Sequence, residues 1–263
     1  MVWSLVAVQM LYVLVLALAL ASGIRSENTG DETKNIISFA LYGNGARYTE
    51  GAIENALLTK TIYPGWIMRV YYDSSVPIGI ISHLRTLDVE LIDMTGQGIA
   101  NRMSWRFLVA SDPQVKRFLV RDIDSRLNPR EKAAVDEWMS SDKKFHVMRD
   151  HPNHSWYKMG GGMWGATGDA VSDMEDLIKS AKANDNFWSD MTFLADFVWP
   201  RVLESNMQHD SYACVENGAR PFPTRRIGGS HVGGVYINGR ERQGDMDTVI
   251  EKPSPKECRT PGE

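Results

Sequence analysis

The chain has 263 residues, with 29 basic and 33 acidic side chains and a formal charge of −4; 43% of its residues are apolar and 24% charged. Such values belong to soluble globular proteins and exclude a disordered tail, a collagen-like fibre and a polytopic membrane protein. Mild acidity argues against a nucleic-acid partner, which calls for a clustered basic surface. Two cysteines exclude a disulfide scaffold and a Cys-rich zinc module.

Residues 1–24 carry no charged side chain, and 10–21 are an unbroken apolar run followed by small residues. This segment reads as a cleaved signal peptide or as a signal anchor of type II orientation, since about 20 apolar residues span a bilayer. Either reading sends the rest into the secretory lumen (Golgi or ER) or out of the cell, with a single-pass membrane anchor in the second case. Residues 25–34 form a polar stem, 35–250 one catalytic-sized domain and 251–263 a C-terminal tail. In an oxidising lumen Cys214 and Cys258 either pair or remain two thiols. Asn153-His154-Ser155 is an N-glycosylation sequon.

Residues 35–42 (NIISFALY) are expected to form a buried first strand, closed by Gly43-Asn44-Gly45. A helix over 50–62 follows, then strands at 67–72 and 89–92. Helical spacing of Met103, Phe107 and Ala110 predicts a helix over 99–111. A strand at 118–120 runs directly into Arg121-Asp122-Ile123-Asp124. Asn128-Pro129-Arg130-Glu131 then opens a helix, with Asn as N-cap, Pro at the first position and Glu three residues on. A strand at 145–148 and helices near 169–183 and 190–203 complete the pattern. Strands alternating with helices predict an α/β fold with a mostly parallel sheet covered on both faces.

In such a sheet, ligands bind beyond the carboxyl ends of the strands. There the 118–125 segment delivers two carboxylates, Asp122 and Asp124, flanked by Arg121, a candidate donor contact. Oxygen donors of this kind suit Mg²⁺ or Mn²⁺, which neutralise a diphosphate; a plain acidic turn is the alternative. Phosphatases of the haloacid-dehalogenase type also use a paired aspartate, but at the first strand, whereas here three strands precede it. A nucleotide-sugar transferase expects a nucleotide-binding half before the pair and an acceptor half after it, which is the order here.

The stretch from Phe118 to Ala166, with RDIDSR, MRDHP and GGMWG, resembles the central block of GT-A-type glycosyltransferases that carry a DxD motif. More loosely the resemblance runs from Ile36 to Tyr236. It implies a GT-A, Rossmann-like domain, a divalent metal (usually Mn²⁺), a nucleoside-diphosphate sugar donor (a UDP-sugar favoured) and a glycan or glycoprotein acceptor. By position it assigns Asp122 and Asp124 to the metal and sugar nucleotide, and the loop from Tyr42 and Gly43 to Arg47 to the base and ribose. His231 stands where many such enzymes place a third metal ligand; a structural histidine is the alternative. Gly161 and Gly162 allow close backbone approach to a sugar, and Trp164 offers an indole for stacking, or else a core residue. Arg149 and Asp150 either meet phosphate and acceptor or form a buried ion pair. Asp190 and Asp150 are the candidate bases for an acceptor hydroxyl; for Asp190 the alternative is the N-cap of its helix. Arg225 and Arg226 are candidate diphosphate contacts or surface cations. Proline between them denies His151 and His154 the helical spacing of a two-histidine metal site.

Overall fold

The computed structural model describes residues 33–99, 101–181, 189–216 and 218–260. The segment 1–24 and most of the 25–34 stem lie outside the described residues. From Thr33 on, the chain is one compact unit, and no described helix is long and apolar enough to cross a membrane.

Seven strands form the central sheet: β1 Lys34–Leu41, β2 Ile67–Tyr72, β3 Glu90–Asp93, β4 Val115–Arg121, β5 Phe145–Arg149, β6 Met163–Thr167 and β7 Asn206–Asp210. Their order is β3-β2-β1-β4-β6-β5-β7. β6 is antiparallel to both neighbours and every other pairing is parallel. The chain is therefore α/β with a mostly parallel sheet, as expected.

Alternation along β1 shows why both faces are covered. Ile37, Phe39 and Leu41 face helices α1 (Ala46–Ile62), α2 (Ile78–Thr86) and α3 (Pro129–Met139), among Ala52, Leu84 and Val135. Ile36 and Ala40 face the other way, into a core with Trp105, Phe107, Trp164 and Leu194. That second layer is built from a 3-10 segment, Arg102–Ser111, from α4 (Met174–Ser180), and from α5 (Ser189–Phe193) with α6 (Trp199–Val202), joined by a π-helical turn, Leu194–Val198. The expected 99–111 helix is thus a tighter 3-10 run, capped by the Asn101 side chain, which accepts from Met103 N at 3.0 Å.

β6 and β7 were not foreseen as strands. Met163–Thr167 reads as a glycine loop, and Asn206–Asp210 (NMQHD) carries too many polar residues for a buried strand. β7 is buried because its polar groups are paired: Arg149 Nε donates to Asp210 Oδ2 at 2.6 Å, and His146 Nε2 meets His209 Nδ1 at 2.8 Å. A small ribbon, β8 (Tyr236–Ile237) with β9 (Arg240–Glu241), and helix α7 (Gln243–Glu251) follow. Cys214 and Cys258 are joined in a disulfide that ties the C-terminal segment to the body.

Candidate active site

Parallel strands bring their carboxyl ends to one edge, and the direction of winding reverses between β1 and β4, the place where open α/β sheets bind ligands. Strand parity then sorts the DxD segment. Arg121 shares a face with Leu119 and turns toward α1 and α3, whereas Asp122 follows Phe118 and Val120 toward the 3-10 segment. There Arg106, buried, ion-pairs with Asp122 Oδ1, and its Nη2 donates to Asp190 Oδ2 at 2.8 Å. Arg47, on the first turn of α1, ion-pairs with Asp124 Oδ2. Arg106 thus joins Asp122 to Asp190, while Arg47, from a different element, pairs with Asp124.

The turn bearing the two aspartates is clamped by Asn55 of α1. Its amide donates to Ser125 O at 2.9 Å and Ile123 O at 3.3 Å, and accepts from Leu127 N at 3.1 Å. The segment leading into β6 approaches so closely that a Cβ on Gly162 would fall on the Asp122 carboxylate and backbone, and one on Gly161 on Asp190 and Arg106. These glycines are required by that crossing. The segment after His231 closes the remaining side: Tyr236 N donates to Asp124 O at 2.8 Å and Val232 N to Asp150 Oδ2 at 2.9 Å.

Burial raises the pKa of Asp124 above the ordinary carboxylate range, with Asp122 adding to it and Arg47 opposing. Burial likewise raises Asp190, against the opposing charge of Arg106. Burial disfavours the Arg106 charge, but Asp122 and Asp190 more than offset this and hold its pKa up.

Tyr42 directly follows β1, with Arg102 over its ring, 5.6 Å from the centroid, and Trp105 edge-on at 6.2 Å. Arg102 Nε lies 3.3 Å from Asp73 Oδ2, a carboxylate at the end of β2. Gly43 N donates to Ser75 Oγ at 2.7 Å. Asp73, Arg102, Arg106 and Asn55 went unrecognised in the sequence. Only Asp73 carried a cue, as a carboxylate directly following a strand.

Four expectations are corrected. Arg121, 1% exposed, donates to Glu131 Oε1 (2.7 Å) and Trp164 O (2.7 Å), so it anchors the core and does not share the face of Asp122. Glu131, expected to complete a capping box, instead accepts from Arg121 and from Tyr63 OH at 2.9 Å; the Asn128 side chain still caps α3. Trp164, 0% exposed, is sandwiched in the core, stacked on Phe145 at 5.3 Å, where no sugar reaches it. Asp150 is also 0% exposed and accepts from Arg130, Arg226, Ser211 and Val232, leaving it no capacity to take a proton. Burial works against its charge, but Arg130 and Arg226 hold its carboxyl well below the usual carboxylate range. Of the other cations, Arg149 pairs with Asp210, Arg226 with Asp150, and Arg225 is exposed. Asp190 lies inside α5, its Oδ1 accepting from its own helix at Met191 N, 2.8 Å.

His231 lies 3.2 Å from Glu241 Oε1, and its ring packs against His151 at 4.8 Å and His154 at 5.9 Å between centroids. Among the described residues no three His, Cys, Asp or Glu side chains form a set that would hold a metal ion, so His231 does not complete a metal site in this arrangement. The donor chemistry still fits a hard divalent cation. Mg²⁺ is typically held by one or two carboxylates with substrate phosphates filling its shell, and Asp122, its side chain 41% exposed, offers oxygen beside the more buried Asp124.

No protein-family model matches the chain, and no curated protein matches it in sequence. Solved structures similar to it include a glycosyltransferase involved in the glycosylation of the major capsid of PBCV-1 (18% identity, TM-score 0.45, covering 68% of this chain and 82% of that one). Others are 4-diphosphocytidyl-2C-methyl-D-erythritol synthase from Anaerococcus prevotii (12%, 0.42, 62% and 83%) and a mannosyltransferase from Pyrobaculum calidifontis in complex with GDP-Man and Mn²⁺ (12%, 0.43, 60% and 50%). Likenesses at this level do not decide a reaction.

Proposed function

We propose that this chain is a metal-dependent glycosyltransferase of GT-A type, transferring a sugar from a nucleoside-diphosphate donor to a glycan or protein acceptor in the secretory pathway. The observation that carries the reading is the pair of carboxylates at the end of β4, Asp122 bridged to Asp190 by Arg106 and Asp124 paired with Arg47. The nucleoside lies along Tyr42, Arg102 and Asp73, a planar face with a carboxylate at its side. Asp122 and Asp124 hold the cation, Mn²⁺ or Mg²⁺; when bound, it offsets the charge of the departing diphosphate. Arg106 fixes the spacing of Asp122 and Asp190, and Arg47, beside Asp124, is the cation that meets the diphosphate. Asp190, with its raised pKa, is the group placed to accept the acceptor hydroxyl proton if the configuration inverts. The disulfide supports a lumenal location, since such bonds persist in oxidising compartments.

Nucleotide release by residues 26–263 over a panel of sugar nucleotides, with Mn²⁺, Mg²⁺ or EDTA, tests the proposal. One donor is expected to be preferred, release to need metal, and Asp124→Ala to lower it by on the order of 10²–10³-fold without unfolding the chain. Full metal-dependent release in Asp124→Ala refutes the assignment. A non-catalytic sugar-nucleotide-binding role draws on the arginines already seated on Asp122 and Asp124; donor binding without any release would select it.

A further inference from the structure

The sequence holds one N-glycosylation triplet, Asn153-His154-Ser155, and the proposed transfer reaction makes no use of it. Such a triplet carries a glycan only where its asparagine ends in water and the fold tolerates a bulky, hydrated substituent there. The connection between β5 and β6 meets both conditions. His154 N donates to His151 O at 2.9 Å, so residues 151–154 form a β-turn with Pro152 and Asn153 at its centre. Proline presets the first central position of such a turn. Asn153 is exposed at the tip.

The residues around Asn153 hold the turn to the body. His151 and His154 pack ring to ring at 5.3 Å between centroids, and both pack on His231, at 4.8 Å and 5.9 Å. Ser155 Oγ donates to Asp210 Oδ1 at 2.8 Å. That aspartate, 0% exposed, also accepts from Arg149 Nε at 2.6 Å and from the backbone of Tyr212 and Ala213 at 2.8 Å and 2.9 Å. The triplet is thereby divided. Its asparagine faces water, its histidine packs among other imidazoles, and its serine hydroxyl is engaged by a buried, ion-paired carboxylate.

We propose that Asn153 is N-glycosylated, and that the glycan is added before the turn docks onto Asp210. The inference rests on the proposed lumenal location, with which the disulfide between Cys214 and Cys258 agrees. In the transfer, Asn153 Nδ2 attacks the anomeric carbon of a lipid-linked oligosaccharyl diphosphate. The nitrogen–carbon bond forms as the bond from that carbon to the phosphate oxygen breaks. The lipid diphosphate leaves with the electron pair, and the amide gives up one proton to a base of the transferase. Such a transferase needs the hydroxyl of the triplet as well as its asparagine, and in the folded chain that hydroxyl is held by Asp210. The unfolded chain is therefore the substrate, and folding then leaves the glycan in water at the tip of the turn.

The test expresses the full chain in a eukaryotic secretory host, with a C-terminal tag whose own glycosylation triplet reports entry into the lumen. Treatment with a peptide N-glycosidase, which leaves aspartate at each occupied asparagine, is followed by peptide mapping. Both Asn153 and the tag are expected to be converted. Asn153→Gln should lose one glycan, and Ser155→Thr, which keeps the hydroxyl, should retain it. A glycosylated tag beside an unmodified Asn153 overturns the inference; two unmodified sites overturn it together with the lumenal location. The order of events is tested on unglycosylated chain, folded with its disulfide formed, offered to a purified oligosaccharyltransferase and its lipid-linked donor beside a peptide of residues 148–160. The peptide is expected to accept the glycan and the folded chain to do so at least about ten-fold more slowly, as a local opening costing about 1.4 kcal/mol would impose. Equal rates overturn addition before docking, and an inert peptide overturns Asn153 as an acceptor. Nucleotide release enters neither readout, so failure of the proposed transfer reaction leaves this result standing.

Discussion

Asp150 separates a catalytic carboxylate from a scaffolding one, and Asp150→Asn is the substitution that tells them apart. The side chain is 0% exposed. It accepts from Arg130 Nε at 2.9 Å and Nη2 at 3.0 Å, from Arg226 Nη2 at 2.7 Å, from Ser211 Oγ at 2.5 Å and from Val232 N at 2.9 Å. Asparagine keeps the shape but removes the charge and turns an NH₂ toward donors. Breaking a buried pair from one side costs about 3–5 kcal/mol, and at 2–4 °C per kcal/mol for a domain of this size the melting temperature falls on the order of 10 °C. The pH dependence has a definite sign. Arginine partners lower the folded pKa of Asp150, so its stabilisation is complete above the unfolded value near 4 and is lost as pH falls below it. Melting curves of parent and variant should therefore converge as the pH is lowered below about 4. Below its melting temperature the variant should keep its nucleotide release. An unchanged melting temperature with release reduced by about 10² or more would refute the scaffolding role and return Asp150 to the substrate.

The buried pair His146 and His209 should make the protein acid-sensitive. Burial, and for His146 also the neighbouring His209, lowers both pKa values, so the folded state binds fewer protons than the unfolded chain below about 6.5. Stability is then lost as pH falls through that value, at up to about 1.4 kcal/mol per pH unit for each imidazole. Urea midpoints at several pH values should show this slope, and His146→Phe should reduce it; an unaltered slope rejects the pair as its source. The disulfide between Cys214 and Cys258, 44 residues apart, should contribute about 4 kcal/mol through loop closure. Reductant should lower the urea midpoint of the parent but not of a variant with both cysteines changed to serine.

Much of the fold was legible because apolar runs report burial. The sequences of β1, β2 and β4 and the Asn128-Pro129 start of α3 each carry their own local cue. β7 was not legible because its burial depends on partners distant in sequence: Gln208, His209 and Asp210 are tolerable inside only once Arg149, His146 and Glu137 are beside them. The site divides the same way. The position of Asp122 and Asp124 follows from a strand running into a turn. Arg106 gave no cue, since its role exists only when a 3-10 segment lies across the sheet face that bears Asp122. Arg121 misled for a related reason. Adjacent residues on a strand point to opposite faces, so proximity in sequence to Asp122 placed its side chain away from it.

The carboxylates at this edge differ less in location than in how fully they are satisfied. Asp150 accepts from two arginines, a hydroxyl and an amide, and its pKa is lowered. Asp190 accepts from one arginine and one amide, Asp124 pairs with one arginine, and both have raised pKa values dominated by burial. A saturated carboxylate has nothing left to offer a ligand, whereas an undersatisfied one is relieved by a cation or a proton. On the proposed reading this assigns the roles: the cation goes to Asp122 and Asp124, the hydroxyl proton to Asp190, and neither to Asp150. It also ties the two ligands together. A diphosphate brought alone to an edge with three carboxylates is repelled, and a cation brought alone is incompletely coordinated. Each therefore raises the affinity for the other, and by the same factor.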